Sequence, residues 1–273
     1  MSTAISVQEP QRRLSIFLDT NALHFCRLWL EIARQEEVYP FGSNFNDAKS
    51  LDDKIKQVLG QGGSANSSYA SGYKIVHHLR EVTIDSEGRT IGNIMFAPMT
   101  RLEASCGALR GKAILAAAQE RVSSRWWNRV DENEIIGRLI AEDYTDVLND
   151  IKGIEDDFFG AGMTILAARN EELTFIWFLA DTLFGLVFTD PTDCLIYATA
   201  LLLASDEIIS EDAYLRKVIT SIHNPGASPL GQHDYFFTVQ AKVRQCLAGI
   251  SGVSESEIIL PRPWSAKMPK VGT

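Results

Sequence analysis

Short apolar runs alternate with longer stretches whose apolar residues recur every three or four positions, and this alternation organises the chain. Leu14 to Leu18, Ile91 to Ala97, Phe184 to Phe188 and Glu207 to Ile209 read as strands. Between them, Ala22–Glu37 carries Leu23, Cys26, Leu30 and Ala33 on one face, the spacing of an amphipathic helix. The same spacing predicts helices over Ala48–Leu59, Tyr73–Val82 and Thr100–Ala118, and one or two over 131–170, broken near Gly153 or Gly160–Gly162. Glu171–Leu183, Thr192–Ala204 and Ala213–Ile222 complete the helices, and Glu257–Leu260 reads as a late edge strand. Strands separated by helices predict a three-layer α/β/α fold around a mostly parallel sheet.

The organisation is that of one domain over 14–260, with a polar segment before it and a Pro- and Lys-containing tail at 261–273. From 38 to about 90 the pattern weakens around Pro40, Gly42 and the run Gly60–Ser68, which reads as an insertion with a flexible loop. The segment at about 131–170 reads as an additional helical element.

Composition narrows the class. With 45% hydrophobic and 22% charged residues, the chain is an ordinary globular protein. The first apolar run is short and strand-like and is followed by Asp19, so it does not read as a signal peptide. The longest apolar stretch, Leu173–Phe188, is short for a bilayer and holds Asp181, so a cytoplasmic protein without a membrane span is expected. Cys26, Cys106, Cys194 and Cys246 lack Cys-x-x-Cys spacing and are expected as buried free thiols, with no zinc site.

A net charge of −9 argues against a protein that coats nucleic acid non-specifically. The distribution adds detail. Five bases against one acid lie in 110–129, and ten acids against two bases lie in 131–160. That asymmetry reads either as a nucleic-acid face beside an acidic docking face, or as the solvated sides of two helices.

Four acids carry the candidate chemistry. Asp19, Glu103, Asp193 and Asp212 each follow one of the apolar runs, and the carboxyl ends of parallel strands line one crevice. Carboxylates gathered there repel one another unless a divalent cation neutralises them. Each has a structural reading too. Thr100-x-x-Glu103 has the form of a capping box, Asp190-Pro191-Thr192-Asp193 that of an N-cap followed by a first-turn acid, and Asp212 precedes a helix.

The motifs resemble those of the PIN-domain nucleases. Phe17-Leu18-Asp19-Thr20-Asn21 is similar to that family's opening strand with Asp-x-Asn, and Thr100-Arg101-Leu102-Glu103 to its second motif. Asp193-Cys194-Leu195-Ile196-Tyr197-Ala198 is similar to its third, and Ile208-Ile209-Ser210-Glu211-Asp212 to its fourth, in the family's order. The match covers about half the chain; the 38–90 and 131–170 segments have no counterpart in the short VapC-like toxins.

The resemblance implies a metal-dependent endoribonuclease cutting single-stranded or loop RNA, plausible as the toxin of a toxin–antitoxin pair. Asp19, Glu103, Asp193 and Asp212 would hold one or two Mg²⁺ or Mn²⁺ ions, with Asn21, Ser210 and Asp190 supporting them. The expected products carry a 5′-phosphate and a 3′-hydroxyl. Arg101, Arg110, Lys112 and Arg125 are candidate phosphate contacts, and Trp126 and Trp127 candidate stacking platforms or packing residues. An antitoxin protein is the implied partner, and a homodimer is permitted.

Two other readings stand beside it: a structure-specific DNA nuclease on a related fold, and a non-catalytic interaction module of PIN-like fold. A haloacid-dehalogenase-like phosphatase needs a second Asp followed by Thr two residues after the first, where Asn21 stands. His77, His78 and His223 match no nucleophile or metal spacing and are expected at the surface or in packing.

Overall fold

The computed structural model describes residues 14–41, 45–59, 64–84, 92–120, 139, 141–160, 164–166, 172–188 and 190–267. Strand β1 (Leu14–Leu18) is the middle of a five-stranded, all-parallel sheet, with β2 (Gly92–Met95) and β3 (Thr164–Leu166) on one side. On the other side lie β4 (Glu207–Ile209) and β5 (Arg262–Trp264).

Side chains alternate across β1, and each face meets its own core. Phe17, with Met95 and Ile208, joins the core under four helices, α6 (Leu173–Leu186), α7 (Pro191–Leu202), α8 (Ala213–His223) and α9 (His233–Ser251). Ile16 and Leu18, with Ile94 and Ile209, face α1 (Thr20–Gln35), α2 (Phe45–Leu59), α3 (Ser64–Thr83) and α5 (Ala141–Gly160). The remaining helix, α4 (Pro98–Gln119), follows β2. Helices therefore cover both faces of a parallel sheet, which explains why its strands are apolar on both sides.

The 38–90 segment is built into this core. Ala48, Leu51 and Ile55 of α2 and Ile75, Val76 and Leu79 of α3 share one cluster with α1. Helices α1 and α3 approach so closely that a Cβ on Gly72 would lie 2.2 Å from the Phe25 carbonyl oxygen. The expected loop over Gly60–Ser68 is shorter than read, because Ser64 already opens α3.

The acidic 131–160 run turns inward in part. Asp150 and Asp157 of α5 pair with Arg27 and Arg34 of α1 at 3.3 and 3.1 Å. Asp146 and Glu155 pair with Lys112 and Arg101 of α4 at 2.7 and 3.3 Å. Helix α5 continues through Gly153 and ends at Gly160, one of the two expected breaks.

Three further expectations are corrected. The run Phe184–Phe188 is not a strand: α6 continues to Leu186, burying Ile176, Leu179, Ala180 and Leu183 at helical spacing. A short apolar run does not by itself distinguish helix from strand, and here the helical period prevails. The third strand is instead Thr164–Leu166, three residues too short to display alternation. The last strand is Arg262–Trp264 rather than Glu257–Leu260, so part of the expected tail belongs to the sheet. Pro263 fits there because β5 is an edge strand.

Buried Glu207 ties that edge to α3. It bonds Arg262 at 2.9 Å and pairs closely with His78, whose ring stacks on Trp264 at 4.2 Å. Cys26 and Cys194 are buried, Cys246 is partly so, and Cys106, contrary to expectation, is exposed; all four thiols are free.

Candidate functional site

Strand order reverses between β1 and β4, and the connections after these strands leave toward opposite faces of the sheet. Such a switch point opens a crevice at the carboxyl ends of the strands. The register places Leu18 beside Ile209, so the first residues past the strands, Asp19 and Ser210, are neighbours.

Asp19 is almost fully buried there and uses both oxygens. Oδ1 accepts from the Thr20 backbone N–H at 2.6 Å, and Oδ2 accepts from the Ser210 hydroxyl at 2.7 Å. The same Ser210 Oγ accepts from the Asp212 backbone N–H at 3.0 Å. Asp212 then caps α8, accepting from the Leu215 N–H at 2.8 Å. One buried serine thus holds the two acids that flank the switch point.

Glu103 enters from α4. Its carboxylate receives the Thr20 hydroxyl at 2.5 Å. The capping-box reading fails: α4 starts at Pro98, its N-cap is Ala97 without a side-chain bond, and Thr100 lies already inside the first turn. Asp190 caps α7, accepting from the Thr192 N–H at 2.7 Å, with Pro191 first in the helix and Asp193 in its first turn. Asp193 follows the turn after α6 rather than a strand and Glu103 lies inside α4, so Asp19 and Asp212 are placed where strands end, and Glu103 and Asp193 by helices.

The acids act on one another. Burial pushes the Asp19 carboxyl up to about 6, against the lowering bonds from Ser210 and Thr20, with Asp212 and Glu103 raising it further. Burial also pushes Asp193 up to about 7, and the charges of Asp190, Asp19, Asp212 and Glu103 add to it. Five carboxylates therefore share one electrostatic environment, and groups perturbed in this way concentrate at functional sites.

Their oxygens are the donor type that hard divalent cations take, and a cation would relieve the repulsion among them. In donor chemistry the set suits such an ion. The spacing is open: among the described residues no three Asp, Glu, His or Cys side chains stand close enough to hold one ion.

Other candidates fall elsewhere. The Asn21 side chain is exposed, at the start of α1. Arg101 and Lys112 are engaged by Glu155 and Asp146, while Arg110 is exposed on α4. Arg125, Trp126 and Trp127 lie outside the described residues.

Two supporting residues were not foreseen. Thr20 bridges Asp19 and Glu103, and its only sequence signal is a hydroxyl beside the strand-end acid. Buried Glu211 accepts from the Ser265 hydroxyl at 2.9 Å and the Ala266 N–H at 2.7 Å, fastening the 210–212 loop to the chain beyond β5. Nothing in the sequence links those distant positions. No family model, curated protein or solved structure matches this chain.

Proposed function

We propose that the crevice is the active site of a metal-dependent endoribonuclease of PIN-like fold, in which Asp19, Glu103, Asp193 and Asp212 hold Mg²⁺ or Mn²⁺. The observation that carries this reading is the gathering of these acids at the switch point, with Asp19 and Asp193 pushed up by burial and by the charges of neighbouring carboxylates. The order of the four motifs supports it, and the resemblance supplies the polymer, single-stranded or loop RNA, and the role of a toxin countered by an antitoxin protein.

A bound ion of this kind polarises a phosphoryl oxygen and acidifies an attached water. The chain's own contribution is positional. Ser210 and the Thr20 N–H fix both oxygens of Asp19, and the Thr20 hydroxyl aims Glu103. The α7 and α8 helix starts carry Asp193 and Asp212 on rigid elements. With five acids around it, the crevice repels a phosphate backbone until cations enter, so activity should require added metal.

A second reading, a non-catalytic interaction module, is favoured by the open spacing of the carboxylates. One assay separates the two. Purified protein is given labelled single-stranded RNA and DNA with Mg²⁺, Mn²⁺ or EDTA, beside Asp193→Asn. The nuclease reading predicts RNA cutting that EDTA and the substitution both abolish. Cutting of DNA alone would transfer the site to a DNA nuclease, and cutting undiminished by Asp193→Asn would remove these acids from the chemistry.

A further inference from the structure

Two of the bases that the sequence offered for phosphate contact, Arg101 and Lys112, are held by Glu155 and Asp146. Helix α8 offers others. Leu215, Val218, Ile219 and Ile222 are its buried side, so Tyr214 and Lys217, three residues apart, share the exposed side. Asp212 caps this helix, which puts Tyr214 two residues from an acid of the crevice. The Tyr214 hydroxyl donates to the Val187 carbonyl at 3.0 Å, three residues before Asp190. Its ring therefore reaches from the helix start that carries Asp212 to the turn that leads into Asp190 and Asp193. The charges of Asp190 and Asp212 both bear on Asp193, so this bridge runs along the edge of the acid cluster.

Two properties suit the ring to an unpaired base. Tyr214 is 44% exposed while its polar tip is already bonded, so it offers solvent a ring rather than a hydroxyl. The bond also holds the ring in place, which lowers the entropy lost when a flat partner settles on it. The Tyr235 hydroxyl donates to the preceding carbonyl, that of Leu186, and pins the same turn from α9. Cations lie alongside. Lys217 is exposed and makes no ion pair among the described residues, and Arg216 donates one N–H to the Ser210 carbonyl at 3.0 Å. An aromatic ring beside cations that can track a phosphate backbone is the recurring platform for single strands.

We propose that the exposed side of α8 binds single-stranded nucleic acid beside the crevice, with an unpaired base stacked on Tyr214 and an adjoining phosphate on Lys217. The assignment rests on the nuclease reading and extends it. It lays the strand along α8 rather than along α4, and it gives a physical reason for a preference for unpaired strands. A duplex is the poorer occupant, because its bases are stacked on one another and closed to the ring. Every base has a face to stack, so the contact selects strandedness and not sequence.

Fluorescence anisotropy of a labelled single-stranded RNA with the full chain tests this, in Ca²⁺, an ion that carboxylate oxygens also accept. The same strand in a duplex and the same strand with abasic positions serve as comparison probes. Tyr214→Phe, Tyr214→Ala and Lys217→Met are each checked for folding by circular dichroism. Tyr214→Ala should weaken binding of the single strand roughly 5- to 150-fold, as loss of a stacked base does. Tyr214→Phe keeps the ring and drops the carbonyl bond, so it should stay near wild type, and the abasic strand should bind all three alike. Lys217→Met should weaken binding and reduce its salt slope by about 0.7, the share of one single-strand phosphate. If Tyr214→Phe binds as weakly as Tyr214→Ala, the residue is a tether for the turn and the proposal falls. Undiminished binding by Tyr214→Ala, or a duplex bound as tightly as the single strand, would also overturn it. A chain that binds no single strand overturns it even if it cuts one. Binding in the expected pattern without cleavage in Mn²⁺ would overturn the nuclease reading alone.

Discussion

Asp19 and Asp193 are carboxyls that the fold makes hard to ionise, and this fixes the sign of their pH dependence. Both sit well above the 3.8 of an unperturbed aspartate. The folded state therefore holds their protons more tightly than the unfolded chain, so the stability these two groups contribute is fully present below about pH 4 and is lost as pH rises through 6 to 7. For Asp19 alone the loss is about 3 kcal/mol by pH 8. Urea unfolding in EDTA should show lower stability at pH 8 than at pH 5, and Asp193→Asn should flatten the difference while removing cleavage. A stability that rises over this interval would contradict the shared crevice. Thr20→Val frees Glu103 without touching an acid. It should lower metal affinity or cleavage by roughly 10–100-fold, as removal of a supporting bond usually does, with folding little changed.

At the scale of elements, the close approach of α1 and α3 is the most demanding contact. Gly72→Ala forces a Cβ onto the Phe25 carbonyl oxygen, and the helices must part. Overpacking of this kind costs about 1–3 kcal/mol or more, which urea titration would register; an unchanged midpoint would mean the helices are not so close. Glu211→Ala leaves the Ser265 hydroxyl and the Ala266 N–H without their acceptor and should cost about 1–3 kcal/mol. The helices were legible in the sequence because their apolar residues recur over several turns. Strands β1, β2 and β4 were legible because a strongly apolar run stops at an acid or a proline. Thr164–Leu166 was not, being three residues long, nor was Arg262–Trp264, where two prolines disguise an edge strand. The apolar density of Phe184–Phe188 suggested a strand, although the spacing of Ile176, Leu179 and Leu183 already announced a helix.

For the whole molecule, parallel topology converts sequence position into spatial neighbourhood. Asp19 and Ser210 lie far apart in the chain, yet adjacent parallel strands in register make them partners. Strand-end acids could therefore be assembled from sequence, whereas Glu211's hold on Ser265 depends on a register that no local pattern encodes. The charge asymmetry of 110–160 was also visible, and four acids of α5 meet bases of α1 and α4. Among the described residues no helix is long and apolar enough to cross a membrane. The central claim is that the acids form one divalent-cation site, and calorimetric titration of Mn²⁺ into the protein at pH 7.5 tests it most directly. Saturable binding that Asp193→Asn removes is the predicted result. No binding by the wild-type chain, or equal binding by both proteins, would contradict it.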